Sequence, residues 1–338
     1  MARPKICLLF CGGTIGMVRN KKTGALQPAE SSLDIIRDFP EIQKFVNLDF
    51  KMVVNIDSSN MNPSHWTDIA KKINSLYDKY DGFVIAQGTD TMAYTASALS
   101  FALQNLSKPI VFTGSLIPLD EIGSDGRNNL IYACLTAALD IAEVCLVFAN
   151  KIIRGNRSKK YHESFVAVFH SPNYPVLGEL GRPIVLHDWR KKRRKRTLKF
   201  QPNFNSNISL LKLFPGFDPE ILEKVIDRGA DGIIIEGFGP GNVSFLENSI
   251  IPQIEKATKK GLPVILSNQM EKGVTNLGSY EAGLYAKKAG AISSYNMTTE
   301  ATITKLMWTL AKTKKLSEIK TLFTKDLAGE VDLPTSTI

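Results

Sequence analysis

The sequence predicts an α/β protein with two α/β domains, of which the larger, N-terminal one has a mainly parallel sheet with flanking helices. Three observations support this fold class. Short continuous apolar segments, typical of strands that are buried on both faces, alternate with longer segments of helical periodicity. A run of basic residues interrupts the alternation, which then begins again. The chain, at 338 residues, is also long for a single hydrophobic core.

In the N-terminal domain, predicted strands and helices follow one another in regular order. The clearest helix begins at Asn62, a good N-cap, and has Pro63 in its first turn. Its apolar residues recur every three or four positions up to Tyr80. The other predicted elements are helices 92–106 and 127–143 and strands 6–10, 50–56, 82–86, 109–114 and 144–150.

Beyond the basic run, the renewed pattern predicts a smaller C-terminal α/β domain. Asp218 and Pro219 suit the cap and first turn of a helix, and a last long helix is expected from Thr299 to Thr313. The other predicted elements are strands 208–214 and 263–267, a strand that begins at residue 232, and helix 247–260. We therefore expect an N-terminal domain at 1–189, a basic interdomain linker at 190–207 and a C-terminal domain at 208–338.

Seven consecutive basic residues, RKKRRKR at 190–196, supply most of the formal net charge of +9. Such a run is typical either of a nucleic-acid or nuclear-import patch or of a solvated connection between domains. No aromatic or glycine residues are interleaved with it. We therefore favour the linker and expect a nucleic-acid partner to be absent.

The composition is typical of a soluble intracellular protein without a metal site. No apolar segment approaches the roughly 18 residues needed to cross a bilayer, and the N-terminal apolar stretch is too short for a secretory signal. The cysteines form no CxxC pair and the four histidines are scattered, so a metal site is not expected. The cysteines, which we expect to be small buried side chains, are Cys7, Cys11, Cys134 and Cys145.

Polar residues follow the strands of the N-terminal domain at the positions where the strands end. The carboxyl ends of parallel strands meet at one edge of the sheet, and ligands bind there. The residues concerned are Thr14 after the first strand, Asp57, Ser58 and Ser59 after the second, and Thr89 and Asp90 after the third. We expect them to lie together, although Thr89 and Asp90 would serve equally well to cap the next helix.

The loop at Thr14 begins with a pair of glycines but does not predict a phosphate site. Its glycine spacing fits neither the dinucleotide nor the phosphate-loop motif, and no helix pattern begins after Gly16. Residues 19–28 are predicted to be a mobile polar loop. We interpret the whole segment as one that presents the Thr14 hydroxyl.

A threonine hydroxyl is a poor nucleophile unless a neighbouring group accepts its proton. The chain has no GxSxG motif and no histidine beside these loops. The remaining base is a lysine held next to a carboxylate and a hydroxyl in a partly desolvated cleft, where its pKa falls. Lys159 and Lys160, after the last strand of the sheet, are both candidates.

Two long stretches of the sequence resemble the signatures of the L-asparaginase family, most closely those of its cytoplasmic, type I bacterial-style enzymes. They are CGGTIGM at 11–17 and GFVIAQGTDTMAYTASALSFAL at 82–103. Further matches extend the resemblance over almost the whole chain, namely DSSNM (57–61), TGSLIPL (113–119), SDGRNNL (124–130), RGNRSKK (154–160), SPNYPVLGELG (171–181), GFGPGN (237–242) and NMTTEATITKL (296–306). The family hydrolyses the side-chain amide of asparagine to aspartate and ammonia without cofactor or metal.

The resemblance implies a role for each polar residue at the sheet edge. Thr14 is similar to the primary nucleophile, which forms a β-acyl-enzyme. Thr89, Asp90 and Lys160 resemble the second catalytic group, a hydroxyl, a carboxylate and a lysine, and Asp90 also binds the substrate ammonium. The substrate-binding residues implied are Asp57, Ser58, Ser59, Thr89 and Asp90.

Two features depart from the family pattern. Many relatives have a tyrosine in the mobile loop after the first threonine, but residues 23–28 contain none. Either Tyr280 or Tyr295 substitutes for it, or the nucleophile is activated differently. Some type I relatives are activated by asparagine, but Glu236 and Met270 stand where an arginine and a cysteine of that effector site are expected. We therefore do not expect this regulation.

The family also assembles as homodimers and homotetramers, in which the second domain of one protomer closes the site of its neighbour, and Asn242 resembles the residue contributed there. Two other functions stay open. One is the asparaginase-like component of a tRNA-dependent amidotransferase, whose basic run would contact RNA; that component has an N-terminal extension, whereas the glycine–threonine loop arrives here at residue 12. The other is a non-catalytic protein that binds amino acids or nucleic acid.

Overall fold

The computed structural model describes residues 2–20, 22–28 and 39–333, which belong to two compact units divided after Pro202. Each unit is an α/β structure with its own sheet and its own hydrophobic core. The predicted fold class is therefore confirmed, whereas the domain boundaries drawn from the sequence stay a prediction. Among the described residues, every helix is too short or too polar to span a bilayer.

Among its described residues, the first unit has one eight-stranded sheet and three two-stranded sheets. Its strands, in chain order, are β1 (Lys5–Gly12), β2 (Met17–Arg19), β3 (Leu26–Pro28), β4 (Asn47–Ile56), β5 (Gly82–Ala86), β6 (Leu103–Gln104), β7 (Ile110–Thr113), β8 (Val144–Phe148), β9 (Lys151–Arg154), β10 (Lys159–Lys160), β11 (Phe169–His170), β12 (Gly178–Glu179), β13 (Val185–Leu186) and β14 (Lys199–Phe200). The large sheet has the order β13-β12-β9-β8-β7-β5-β1-β4. From β8 to β4 the neighbouring strands are parallel, and the other three strands are antiparallel to their neighbours. The sheet is mainly parallel, as predicted.

The helices of the first unit are α1 (Pro63–Leu76), α2 (Met92–Ala102) and α3 (Gly126–Ala138). Asn62 caps α1 as expected, because its side chain accepts hydrogen bonds from two backbone N–H groups of the first turn. Two predicted helices are too long. α2 ends early because β6 pairs with β14, and α3 ends where Leu139 becomes extended. The apolar residues that follow α3 are buried outside the helix, so periodicity alone misplaces its end.

The segment after Gly16, predicted as a mobile polar loop at 19–28, contains regular secondary structure. β2 and β3 pair as an antiparallel hairpin, with Val18 opposite Gln27. The Asn20 side-chain carbonyl accepts hydrogen bonds from two backbone N–H groups of the turn, and Gly24 supplies a left-handed residue with a φ of +73°. The polar turn residues therefore organise the segment rather than leave it irregular.

The second unit has a four-stranded parallel sheet of β15 (Ile208–Lys212), β16 (Gly232–Gly237), β17 (Val264–Asn268) and β18 (Ile292–Ser293), in that order. Its helices are α4 (Pro219–Asp227), α5 (Ile251–Lys259), α6 (Glu281–Lys288), α7 (Thr299–Leu310) and α8 (Leu316–Phe323). The sequence did not predict β18, α6 or α8. The prediction that the helix beginning at Thr299 is the last was wrong, since α8 follows it and buries Ile319 and Phe323.

Candidate active site

Three loops meet at the carboxyl edge of the first sheet, where main chain packs directly on main chain. β1 lies between β4 and β5, so the loops that follow these strands are neighbours. Gly13 has a φ of +90°, and a Cβ atom added to it would lie 2.2 Å from the backbone N of Gly88. A Cβ atom added to Gly88 would in turn lie 2.7 Å from the Ser58 hydroxyl oxygen. Thr14 and Thr89 each follow one of the two touching glycines, so this contact brings their backbones together.

Lys160 connects the two polar residues that follow β5. Its Nζ atom donates to Thr89 Oγ1 at 2.8 Å and forms an ion pair with Asp90 Oδ1 at 2.5 Å. Thr89 is only 7% exposed, and the Lys160 side chain is 18% exposed, whereas that of Asp90 is 64% exposed. The three groups form a row from the interior to the solvent. A proton can move along such a row of hydrogen-bonded groups.

A short hairpin holds Lys160 in this position. Lys160 pairs with Phe169 between β10 and β11. The ring of Phe169 packs against that of Phe148, with the ring centroids 5.2 Å apart. Successive side chains of a strand point to opposite faces, so Lys159 points away from the side that carries Lys160. This alternation supports the choice of Lys160 as the candidate base.

The turn after β4 carries the remaining predicted binding residues. Asp57 caps a 3₁₀ turn, Ser58–Asn60, and accepts hydrogen bonds from the backbone N–H of Ser59 at 2.8 Å and from its hydroxyl at 2.7 Å. These two bonds lower the pKa of Asp57 below its ordinary value. Ser58 is buried, whereas Asp57 and Ser59 are exposed. The turn therefore presents a carboxylate that is stabilised in its charged form.

Thr91 ties this turn to the loop that follows β5. Its hydroxyl donates to the backbone carbonyl of Ser58 at 2.8 Å and is positioned to accept from Gln87 Nε2 at 3.4 Å. Thr91 is the N-cap residue of α2, yet its side chain makes no capping bond. The sequence places Gln87 and Thr91 among the polar residues that follow this strand, but sequence reasoning assigned neither of them a role. The available signal was that they flank Gly88, Thr89 and Asp90 at a spacing of four.

The remaining predicted residues are Thr14, at the same sheet edge, and three residues of the second unit. Thr14 belongs to a single 3₁₀ turn, Thr14–Gly16, and is half-buried. Asn242 is in the second unit, where its backbone exchanges hydrogen bonds with that of Phe238. The two tyrosines considered as substitutes for the absent loop tyrosine, Tyr280 and Tyr295, also belong to the second unit.

The described residues contain no group of three or more histidine, cysteine or acidic side chains that would hold a metal ion. All four cysteines are buried free thiols. Burial raises the pKa of Cys11 and that of Cys134 to about 12, so neither thiol is a nucleophile at neutral pH. These two buried thiols are therefore unsuited to act as nucleophiles.

Comparison with known proteins agrees with the two-unit architecture. Residues 5–192 match the family model "Asparaginase, N-terminal", and residues 207–323 match "Glutaminase/Asparaginase C-terminal domain". The chain is 36% identical to L-asparaginase 1 of Escherichia coli, covering 98% of this chain and 99% of the relative. It is 37% identical to a component of the glutamyl-tRNA(Gln) amidotransferase of Thermococcus kodakarensis, covering 97% of this chain and 76% of the relative. The crystal structure of L-asparaginase I from Vibrio cholerae superposes with a TM-score of 0.90 at 36% identity, covering 98% and 100% of the two chains.

Proposed function

Because the chain belongs to the asparaginase family, we propose that it is an amidohydrolase that converts L-asparagine to L-aspartate and ammonia. The observation that carries the proposal is the row of Thr89, Lys160 and Asp90, whose atoms are joined at 2.8 and 2.5 Å. This row lies beside the glycine contact that brings the backbone of Thr14 to the same edge of the sheet. In this proposal, the Thr14 hydroxyl is the nucleophile and Lys160 is the base.

In the proposed reaction, the Thr14 hydroxyl oxygen attacks the carbonyl carbon of the asparagine side-chain amide. The hairpin that follows Thr14 contains no tyrosine, so the proton passes to the row of Thr89 and Lys160, with Lys160 as the acceptor. That proton then goes to the amide nitrogen, which leaves as ammonia when the C–N bond breaks. A water molecule hydrolyses the resulting β-acyl ester, releasing aspartate and restoring the Thr14 hydroxyl. Backbone N–H groups near Thr89 stabilise the tetrahedral oxyanion.

The turn after β4 supplies the groups that a zwitterionic amino acid requires. Both donors of Ser59 are directed at Asp57, which leaves the Ser58 hydroxyl to donate to the substrate carboxylate. The carboxylates of Asp57 and Asp90 attract the substrate ammonium through charge-assisted hydrogen bonds. Asp90 thereby contacts both the substrate and Lys160.

The test is ammonia release from asparagine and from glutamine by the purified chain, over a range of substrate concentrations. Thr14→Ala and Thr89→Val are each expected to lower turnover by orders of magnitude while the circular dichroism spectrum is retained. Lys160→Met is expected to lower it by about 10²- to 10⁴-fold at every pH, as for loss of a general base. Lys159→Met is the matched control and should stay within about twofold of the wild type. Near-normal release by Thr14→Ala, Thr89→Val or Lys160→Met would show that its assigned role is wrong.

A second candidate is one component of a tRNA-dependent amidotransferase, which the relative at 37% identity favours. The same assay separates the two. Ammonia release by the chain alone, unchanged by glutamyl-tRNA, supports the free asparaginase. Release that requires glutamyl-tRNA and a partner protein supports the amidotransferase, and binding of asparagine without turnover supports a non-catalytic protein.

We also propose that the chain is a cytoplasmic homodimer or homotetramer in which Asn242 of one copy contributes to the site of another. The basis is the family resemblance. Light scattering that gives the mass of two or four chains is the expected result. A monomeric protein with full activity would contradict the proposal.

A further inference from the structure

The basic run is fixed on the surface of the first unit rather than suspended between elements. The Arg190 guanidinium donates to the backbone carbonyl of Asp140 at 2.9 Å and to its carboxylate at 3.1 Å. That of Arg193 donates to the carbonyls of Leu139 at 2.7 Å and Ala137 at 2.9 Å. These carbonyls lie at and beyond the C-terminal end of α3, where helical partners are missing and cations are favoured.

The chain just beyond the run is anchored as well. Residues 199–200 form β14, which pairs with β6 in the first unit. The backbone N–H of Arg193 also donates to the Asp140 carboxylate at 2.8 Å. The segment between these anchors is not helical. Residues 189–196, which we call the basic strip, therefore have one defined path over the surface.

The strip directs a set of adjacent cations into the solvent. Arg194, Lys195 and Arg196 are exposed. Arg190 forms ion pairs with Asp140 and Asp188, and Lys192 forms one with Asp188. Three neighbouring positive charges thus face the solvent without a paired carboxylate among the described residues. Because the backbone that carries these charges is held in one path, a polyanion can bind them with little loss of backbone conformational freedom.

An aromatic side chain begins the strip. Trp189 is 45% exposed, and its ring stacks on that of His187 with the centroids 4.5 Å apart and the planes at 10°. Its indole N–H donates to the carbonyl of Val176 at 2.9 Å, which fixes the orientation of the ring. No aromatic residue is interleaved within the run, but the fold places this one next to it. Exposed rings beside cations are the elements on which unpaired bases stack.

From these observations we propose that the basic strip binds single-stranded nucleic acid, with Arg194, Lys195 and Arg196 on phosphates and Trp189 stacked on a base. Membrane surfaces are typically bound by helices that carry an apolar face beside the basic one. The strip is not helical, and Trp189 is its only apolar side chain. The proposal is independent of the amidohydrolase function.

The test is fluorescence anisotropy of a labelled 20-nucleotide uridine RNA, titrated with the full chain between 50 and 200 mM KCl. Each phosphate contact on a single strand contributes about 0.7 to the slope of log affinity against log salt. The triple variant Arg194→Gln, Lys195→Gln, Arg196→Gln should therefore lose about 2 from that slope and bind about 100-fold more weakly at 0.1 M salt. Trp189→Ala should weaken binding by about 5- to 100-fold with the slope unchanged, and Trp189→Phe should restore it.

A charge-matched control separates the strip from net charge. Lys287, Lys288 and Lys320 are exposed lysines of the second unit, and their replacement by Gln removes the same charge. This variant should bind RNA like the wild type. The proposal is wrong if both triple variants bind equally, if the strip variant keeps the wild-type slope, or if the chain binds phosphatidylserine vesicles but no RNA. Ammonia release should be the same in both triple variants.

Discussion

Replacement of Thr91 by Val tests whether the proposed substrate-binding turn, which follows β4, is positioned from the loop after β5. The Thr91 hydroxyl donates to the Ser58 carbonyl at 2.8 Å. Valine keeps the branched shape, and no helix cap is lost because the Thr91 side chain makes no capping bond. The substitution therefore removes the connection between the two loops and little else.

The expected size of the effect follows from the partners that remain. The Ser58 carbonyl keeps a second hydrogen bond, from the Met61 N–H at 3.1 Å, and Gln87 Nε2 keeps its bond to Thr95 at 3.1 Å. The loss is then that of one ordinary hydrogen bond, about 0.5–1.5 kcal/mol. If this cost falls on substrate binding, kcat/KM decreases by about 2- to 13-fold. Most of the change should be in KM, because Thr91 contacts the proposed binding turn rather than Thr14, the proposed nucleophile.

The assay is steady-state ammonia release from asparagine, with thermal unfolding measured in parallel. Thr91→Ser retains the hydroxyl and should restore kcat/KM. Ser100→Ala is the matched control, since the Ser100 hydroxyl donates to the Ala96 carbonyl at 2.8 Å in the same helix but away from the site. Equal losses of kcat/KM in Thr91→Val and Ser100→Ala, or a serine variant as impaired as the valine one, would refute the positioning role.

Two further predictions concern stability. Gly13→Ala should lower both the free energy of unfolding and ammonia release, since the new Cβ atom would lie 2.2 Å from Gly88 N; backbone strain alone costs about 1–3 kcal/mol. Gly24→Ala is the control, since Gly24 has a similar φ but nothing lies within 4 Å of the added Cβ atom. This variant should lose stability and keep activity. An equal loss of activity in the Gly13 and Gly24 variants would contradict a role for the contact between Gly13 and Gly88. Lys305→Met should lower the urea-derived free energy of unfolding by about 3–5 kcal/mol, because it leaves the buried Glu330 carboxylate unpaired. Burial raises the pKa of Glu330, but the Lys305 ammonium and backbone N–H donors outweigh it, so the folded-state pKa lies below 4.5. The contribution of the pair is therefore full above about pH 4.5 and is lost as the pH falls through the folded-state value; a difference between variant and wild type that grows as the pH falls would contradict this.

The convergence of three of the loops could be foreseen because it depends on a simple rule of parallel sheets. β4, β1 and β5 are adjacent and parallel, so the residues that follow them, among them Thr14 and Thr89, come to one edge of the sheet. This rule does not place Lys160, because Lys160 follows β9, which is antiparallel to β8. Its bond to Thr89, 71 positions earlier, therefore depends on parts of the fold outside the parallel strands.

Features that depend on non-local partners were not foreseeable in the same way. At the end of α3, the Arg193 guanidinium donates hydrogen bonds to the backbone carbonyls of Ala137 and Leu139. Nothing in the sequence near Ala137 indicates that its carbonyl will bond to an arginine 56 positions later. The bond from Thr91 to the Ser58 carbonyl is similar, since a hydroxyl beside a loop has several local partners available and only the fold selects one.

The contact between Gly13 and Gly88 has a consequence for engineering. Because both threonines are placed by backbone touching backbone, neither can be shifted by repacking its surroundings. A mutant library aimed at new amide substrates has no useful diversity at these two glycines. The exposed rim residues Asp57 and Ser59, whose side chains bond chiefly to each other, are where such a library should vary.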